Sequence, residues 1–265
     1  MKTHYLHDSA VPNGARNAQG SCVPNARVIG MSSVARWLEE GVRMARVRPV
    51  LWLAAVLACA DLATLVDFVP SLLMLGMLVA PIAMAAVVLM QEHADNAPRW
   101  SLSETVALAH AHRNPLLTVG ACCVAATYVG RWILFAAFHV SVKASVAANG
   151  VHALTFAYAT HTGADNALEP LFNVVLHAVP VALLWFAPAL VVLNNASPAN
   201  AIVASVRAVL RNWPVACLGV FAIVASASLV PFVPMLARAL IVTPLATALI
   251  VVSLYGSYRD VFGER

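Results

Sequence analysis

Charged side chains are scarce in this chain of 265 residues: Asp, Glu, Lys and Arg make up 11% of it, and hydrophobic residues 61%. A soluble domain carries about 25% charged residues, because its surface has to be polar. A chain this poor in charge cannot cover a globular surface, so we predict that lipid is its main solvent. At roughly 20 apolar residues per crossing, its length allows about six membrane-spanning helices with their connections.

The motifs of the common enzyme classes are also lacking. The sequence contains no Gly-x-Ser-x-Gly, no His-Glu-x-x-His and no phosphate-binding loop, and its five cysteines form no Cys-x-x-Cys pair. Adjacent Cys122 and Cys123 point to different helix faces, and His110 and His112 diverge on a helix, so neither pair predicts a metal site. We expect no enzymatic activity, no cofactor and no metal.

Blocks of basic residues with interleaved aromatics do not occur either, although the formal net charge is +4. Such blocks are the footprint of nucleic-acid binding, so we do not expect nucleic acid as a partner. The expected partner is the lipid bilayer. The sequence specifies neither a protein partner nor an oligomeric state.

The first 30 residues are polar and rich in Asn, Gly, Pro and Ala. No apolar segment follows Lys2, so this stretch is not a secretory signal peptide. We expect residues 1–30 to be a disordered cytoplasmic tail and residues 31–265 to form a single transmembrane domain. Met31 stands where the ordered pattern begins, which makes it an alternative translation start.

A short amphipathic segment that runs into a proline occurs three times, each time before an apolar hairpin. The junctions read Arg48-Pro49, Arg113-Asn114-Pro115 and Arg211-Asn212-Trp213-Pro214. In the first segment, 34–47, Trp37 and Leu38 lie on one face and the charges on the other. Such a helix is too short and too charged to span, so we expect it in the interface, with Trp37 at headgroup level.

The hairpins predict spans at about 49–66, 70–90, 115–138, 171–193, 214–230 and 234–255. They form three repeats, at about 34–90, about 101–193 with an insertion at 139–170, and about 198–262. The second spans align at Ala80-Pro81, Ala187-Pro188 and Thr243-Pro244. The predicted fold is therefore an all-α membrane bundle of six transmembrane and three interfacial helices with a threefold hairpin repeat. The alternative is six unrelated hydrophobic helices.

Local signals refine this outline. Ser101 and Glu104 form a capping box, and Ser197-Pro198 is a helix start. Within the insertion, Asn149-Gly150 signals a turn and residues 151–161 indicate a short helix or an irregular segment.

The basic residues predict the orientation. When six spans are traced from the N-terminus, all 16 Lys and Arg except Arg131, Lys143 and Arg238 fall on the N-terminal side of the membrane. Cytoplasmic loops carry an excess of Lys and Arg. Both termini are therefore expected in the cytoplasm, and the insertion on the far side.

Four ionisable residues lie well within the predicted spans: Asp61, Arg131, His177 and Arg238. Such residues are functional-site candidates, and by helical rise all four share the outer half of the bundle. We predict a polar cluster in which Asp61 pairs with one of the other three. The alternative has the arginines snorkelling outward and Asp61 protonated against a backbone or hydroxyl group such as that of Thr64.

The C-terminal run from Tyr255 to Phe262 is the most distinctive stretch. Its candidate site residues are Tyr255, Ser257, Tyr258, Arg259 and Asp260. They can form a docking surface for the cytoplasmic helices or for a partner protein, with Asp260 placed to hold Arg113 or Arg211. The alternative is an interfacial tyrosine anchor with a terminal Arg-Asp pair.

Together with Trp37, Gly41, Pro49, Ala187-Pro188 and Ser205-x-x-Ala208, this run resembles an uncharacterised family of proteobacterial inner-membrane proteins. That family ends in Tyr-x-Ser-Tyr-Arg-Asp-x-Phe, and the resemblance covers about residues 34–262. It implies a six-helix protein of the bacterial inner membrane. It implies no reaction or substrate, so it supplies no catalytic residues.

Two functional classes remain. The first is a non-enzymatic scaffold or regulatory membrane protein; the second is a small-solute transporter that uses proline-broken helices around a central site. A continuous polar path through the bundle distinguishes the second from the first. The sequence places polar groups in the outer half and few in the inner half, which favours the scaffold.

Overall fold

The computed structural model describes residues 24–68, 72–96, 101–138, 140–146, 152–158, 178–228 and 233–263. This part of the chain is mainly α-helical. Its helices are α1 (Ser32–Val47), α2 (Pro49–Phe68), α3 (Leu73–Asn96), α4 (Leu102–Ala111), α5 (Arg113–Phe138), α6 (Ala178–Asn194), α7 (Pro198–Arg211), α8 (Trp213–Ser228) and α9 (Thr243–Phe262). A single α-turn, Met235–Ala237, and a π-helical turn, Arg238–Val242, precede α9.

Two of these helical stretches are long and apolar enough to cross a membrane: Leu73–Asp95 and Arg238–Phe262. Two further pairs qualify only when each is counted as one span: Ser32–Val47 with Pro49–Leu65, and Pro198–Arg211 with Trp213–Phe221. These pairs bend by 118° and 93°. The described residues therefore hold two to four candidate spans by length and composition.

Large apolar side chains cover the outside of the bundle. Trp132, Phe221, Leu236 and Leu240 are each more than two-thirds exposed. Large, strongly exposed apolar side chains in such number are typical of a surface that faces lipid or a partner. Lipid is the solvent that fits such a surface.

The short helices α1, α4 and α7 each end at a single non-helical residue: Arg48, His112 and Asn212. A proline then lies in the first turn of the next helix, where its missing N–H costs no hydrogen bond. The predicted caps are confirmed. Ser101 and Glu104 form a complete capping box, and the Ser197 hydroxyl accepts a hydrogen bond from the Asn200 N–H.

The three aligned prolines have different local structures. Pro81 lies inside the continuous helix α3. Pro188 follows a bend at Trp185 and Phe186 that interrupts α6, and Pro244 follows the π-helical turn. A proline inside a helix clashes with the carbonyl four residues before it, and breaks and π-turns are two ways to relieve that clash.

The insertion contains a β-hairpin, which the sequence interpretation did not predict. Strands β1 (Val140–Val146) and β2 (His152–Tyr158) pair antiparallel, with Val142 opposite Phe156. Every second residue of β1 is apolar, and Leu154, Phe156 and Tyr158 alternate in β2; this is the period of a strand. The helix or irregular segment predicted at 151–161 is therefore wrong for these strand residues. The predicted turn at Asn149-Gly150 lies outside the described residues.

Residues 24–30 belong to the predicted disordered tail, but hydrogen bonds hold them against the helices. The Arg27 N–H donates to the Val261 carbonyl at 3.0 Å. The Asn212 side chain accepts from the Ile29 N–H at 2.8 Å and donates to the Arg27 carbonyl at 2.9 Å. Because these bonds satisfy the backbone as a strand neighbour would, this short segment is ordered without secondary structure of its own. Residues 1–23 lie outside the described part.

The buried core sits at one end of the bundle, which we call the packed end. It gathers residues 87–91 of α3, residues 184–192 of α6 and residues 251–262 of α9. The segment 24–30 and helices α1 and α7 close this end. The C-terminal motif thus lies in this buried core.

Candidate functional site at the C-terminal helix

Helix α1 runs antiparallel along the last turns of α9, and two glycines bring the helices together. A Cβ on Gly41 would overlap the backbone of Val252, and one on Gly256 would lie 3.2 Å from the Trp37 Cα. Small residues at a helix interface allow such close backbone approach. The axis of α1 is therefore fixed by contact with α9.

Asp260 holds the start of α1. Its Oδ2 accepts hydrogen bonds from Trp37 Nε1 at 2.6 Å and from Arg36 Nη2 at 2.5 Å. The hydrogen bond and charge of Asp260 raise the pKa of Arg36 above its usual value. Arg36 also donates to the Ser33 hydroxyl at 3.1 Å.

These contacts place Trp37 and correct the prediction for Asp260. Trp37 is 3% exposed, because the ring packs under α9 and its N–H is bonded to Asp260; its position at headgroup level stays a prediction. Asp260 does not hold Arg113 or Arg211. Arg113 lies against His110, and Arg211 donates to the Ala26 carbonyl at 2.9 Å.

Arg259 joins three helices. Its Nη2 donates to Glu40 of α1 at 2.7 Å, and its Nη1 donates to Asp95 of α3 at 2.9 Å. Its guanidinium carbon lies 6.0 Å from the centre of the Tyr255 ring. The guanidinium uses its fork geometry to bridge two carboxylates, which a lysine cannot reproduce.

Gln91 of α3 inserts its amide into the backbone of α9. Its Nε2 donates to the Val251 carbonyl at 2.9 Å, and its Oε1 accepts from the Tyr255 N–H at 3.0 Å. These two backbone groups are four residues apart, the spacing of one helical hydrogen bond. Gln91 is fully buried, so its polar atoms are satisfied only by α9.

Ser205 of α7 likewise makes hydrogen bonds to the backbone of α6 through its side chain. Its hydroxyl donates to the Ala182 carbonyl at 2.8 Å and accepts from the Phe186 N–H at 3.2 Å. The break before Pro188 is thus filled by a side chain of α7, which is a recognised cause of a helix kink. Ser205 is fully buried, as is Ala208 one turn later.

The remaining motif residues contact α6. Tyr258 donates its hydroxyl proton to the Asn194 side chain, and Trp185 Nε1 donates to the Ser257 hydroxyl at 3.1 Å. Phe262 packs edge-on against Phe186, with ring centres 5.4 Å apart. Tyr255 and Tyr258 are buried in protein, at 6% and 9% exposure.

The described residues include only two side chains of the predicted intramembrane cluster, Asp61 and Arg238. Asp61 is exposed on α2, whereas Arg238 is buried at the π-helical turn. Arg131 lies in α5, but its side chain is outside the described part, as is the whole of His177. The pairing of Asp61 stays a prediction.

Sequence reasoning missed Gln91, Asn194 and Asn212 as members of the site. Each is a polar residue at the end of an apolar stretch, a position that also suits solvated helix ends. Within the described part of the chain, no group of three or more His, Cys, Asp or Glu is placed to hold a metal ion.

Comparison with family models, with curated proteins and with solved structures found no match for this chain. The site is therefore interpreted from its geometry. Four charged or polar residues in consecutive positions, Ser257 to Asp260, each bind a different neighbour. The arrangement can hold α1, α3 and α6 at fixed positions around α9.

Proposed function

We propose that this chain is a six-span protein of the bacterial inner membrane, with both termini in the cytoplasm, and that it is a non-enzymatic scaffold or regulatory protein. The observation that carries the proposal is that the side chains of the C-terminal motif are bonded to neighbouring helices of the same chain. Arg259 and Asp260 have their charges paired with α1 and α3, and Ser257 and Tyr258 are bonded to α6. These four side chains hold α1, α3 and α6 in place around α9, which is a structural role.

The threefold hairpin repeat is part of the proposal. The order of a short helix, a one-residue break and a helix with proline in its first turn recurs at α1–α2, α4–α5 and α7–α8. Two of these corners bend by 118° and 93°. A sharp bend between a charged helix and an apolar helix is expected where the charged helix lies in the membrane interface and the apolar helix crosses the membrane. Helix α5 has 26 residues and, at 1.5 Å each, is about 39 Å long, enough for a crossing.

A small-solute transporter is the second candidate, because two helices are broken. Transporters place substrate sites at discontinuous helices whose freed backbone groups face a cavity. Here the bend in α6 supplies one such break, and the π-helical turn beside Arg238 supplies another. The freed groups of Ala182 and Phe186, however, are bonded to Ser205. A break filled by protein favours the scaffold.

Cysteine accessibility distinguishes the two candidates. In a cysteine-free background, single cysteines replace Val88, Leu190 and Leu254, all buried at the packed end. Inside-out and right-side-out vesicles are treated with a membrane-impermeant thiol reagent, with Val203 on the exposed face of α7 as the positive control. A scaffold leaves the three core positions unlabelled from both sides. Labelling of any of them from either side at the rate of the control supports the transporter and contradicts the proposal.

A further inference from the structure

We propose that the packed end carries a binding site for one anionic glycerophospholipid, with its phosphate at Arg27 and Arg36 and an acyl chain along a cleft between α6 and α8. This inference requires that the chain reside in a bilayer. It does not require the scaffold role, so its outcome is independent of the labelling experiment above.

The headgroup part is a basic groove formed by the segment 24–30, the start of α1 and Asp260 of α9. It is open, has a volume of about 770 Å³, and is lined by Arg27, Ser33, Arg36 and Asp260. Asp260 is already bonded to Arg36 and to Trp37. Arg27 is exposed, and within the described residues its guanidinium makes no ion pair. The groove therefore has a surplus positive charge that a phosphate can neutralise.

The acyl part is a narrow apolar cleft next to the groove. Ile29 lines both cavities, so the cleft and the groove are neighbours on either side of that residue. The cleft is lined further by Trp37, Trp185, Val215 and Gly219. Its enclosed volume is small, about 40 Å³, so a chain would lie along its open side rather than inside a closed pocket.

A surplus positive charge next to an apolar cleft favours an amphiphile. A free phosphate would neutralise the charge of Arg27 but would leave the apolar cleft unoccupied. A neutral lipid would occupy the cleft but would leave the charge of Arg27 without a counter-charge. Basic pockets next to membrane helices are known to hold anionic lipid headgroups. The chemistry therefore favours phosphatidylglycerol or a related anionic lipid over phosphatidylcholine.

Native mass spectrometry of the full chain in detergent micelles tests this proposal, with equal amounts of phosphatidylglycerol and phosphatidylcholine of the same acyl chains. We expect the wild-type protein to retain one phosphatidylglycerol preferentially. Arg27→Gln should lower the ratio of bound phosphatidylglycerol to phosphatidylcholine about fivefold, the worth of one basic residue at an anionic surface. The matched control is Arg43→Gln, an exposed arginine of α1 that lines neither cavity.

The acyl part has its own variant. Gly219→Leu fills the cleft, since a Cβ there would meet only the Trp185 ring at 4.0 Å; Gly130→Leu, where a Cβ would meet nothing within 4 Å, is the control. Gly219→Leu should reduce both bound lipids without changing their ratio. Equal binding of both lipids by the wild type, an equal loss in Arg43→Gln, or unchanged binding in Gly219→Leu would overturn the proposal. Displacement of the lipid by excess inorganic phosphate would assign the groove to free phosphate instead.

Discussion

The side-chain amide of Gln91 accepts a hydrogen bond from the backbone N–H of Tyr255, 164 residues away in the chain. The same amide donates to the Val251 carbonyl, so a side chain of α3 is hydrogen-bonded to the backbone of α9 at two points. A buried polar side chain that serves another helix in this way ties the first predicted repeat to the third. It also makes the geometry of α9 dependent on α3.

Replacement of Gln91 by Leu should therefore destabilise the protein. The change keeps a similar volume but leaves two buried backbone groups without their partner, at a cost of about 1–3 kcal/mol for each group that finds no other bond. The measurement is the thermal unfolding midpoint of the purified protein in detergent. Val106→Ala, at an exposed position of α4, is the control. A midpoint for Gln91→Leu equal to that of wild type would show that α9 closes its own hydrogen bond when the amide is removed.

A graded series on α1 tests its docking. Trp37 is buried, Leu38 is half-buried and Arg36 is exposed. We expect Trp37→Asp to reduce accumulation in the membrane most, Leu38→Asp less and Arg36→Ala least. The Arg36–Asp260 pair lies near the surface, where solvent screens the attraction and such pairs contribute little. The Trp37 bond to the same carboxylate is charge-assisted and largely buried, which is the stronger situation, at about 1.5–3 kcal/mol.

Quantitative immunoblotting of membrane fractions measures this order, and Trp37→Phe isolates the hydrogen bond from the ring packing. Equal accumulation of the three variants would mean that α1 does not pack on α9 as described.

Much of this arrangement could be predicted from the sequence, and the part that could not has a physical reason. Helix starts at Ser101 and Ser197 depend on local chemistry, so they were predictable. The partner of Asp260 depends on how α1 is placed against α9, and several arginines share that side of the predicted topology. The close contacts at Gly41 and Gly256 align α1 with α9 so that Arg36, and no other arginine in the described residues, reaches Asp260. They join residues more than 200 positions apart in the chain. The β-hairpin had a readable alternation of apolar residues, but the membrane interpretation of the whole chain favoured helices there.

At Gly41 we expect a Gly→Ala substitution to destabilise the protein, although the same substitution inside a helix usually stabilises it. Alanine is a better helix former than glycine by about 1 kcal/mol, so Gly→Ala inside a helix normally stabilises. At Gly41 the new Cβ would overlap the Val252 backbone, and the two helices would have to separate. We expect Gly41→Ala to lower the unfolding midpoint, and Gly130→Ala, which meets open space, to leave it equal or higher. A rise at both positions would contradict the close packing of α1 and α9.

The proposed topology predicts the location of reporter fusions. Fusions after Arg99, Ala199 and Arg265 should report cytoplasm, and a fusion near Gly163 should report periplasm. The reason is the excess of Lys and Arg on the N-terminal side of the six predicted spans. Paired alkaline phosphatase and fluorescent protein fusions measure both outcomes at each site. A cytoplasmic signal at Gly163 would eliminate the six-span arrangement.

The last prediction concerns Asp61, the one acidic residue placed well within a predicted span. An unpaired Asp near mid-span costs around 2.5–3.5 kcal/mol on insertion scales, so it must be paired or neutral. In the structure it is exposed on α2, and within the described residues it makes no ion pair. This placement favours the alternative in which Asp61 has no arginine partner.

We therefore expect Asp61→Asn to accumulate and unfold as wild type does, because the substitution removes no ion pair. Asp61→Arg should reduce accumulation, and neither Arg131→Asp nor Arg238→Asp should restore it. The measurement is membrane accumulation of the single and double variants side by side. Recovery in either double variant would establish the ion pair instead, and would place that arginine, with Asp61, in a polar cluster of the outer half of the bundle. Such a cluster would strengthen the transporter candidate, because a paired charge held inside a membrane bundle is typical of a substrate or proton pathway.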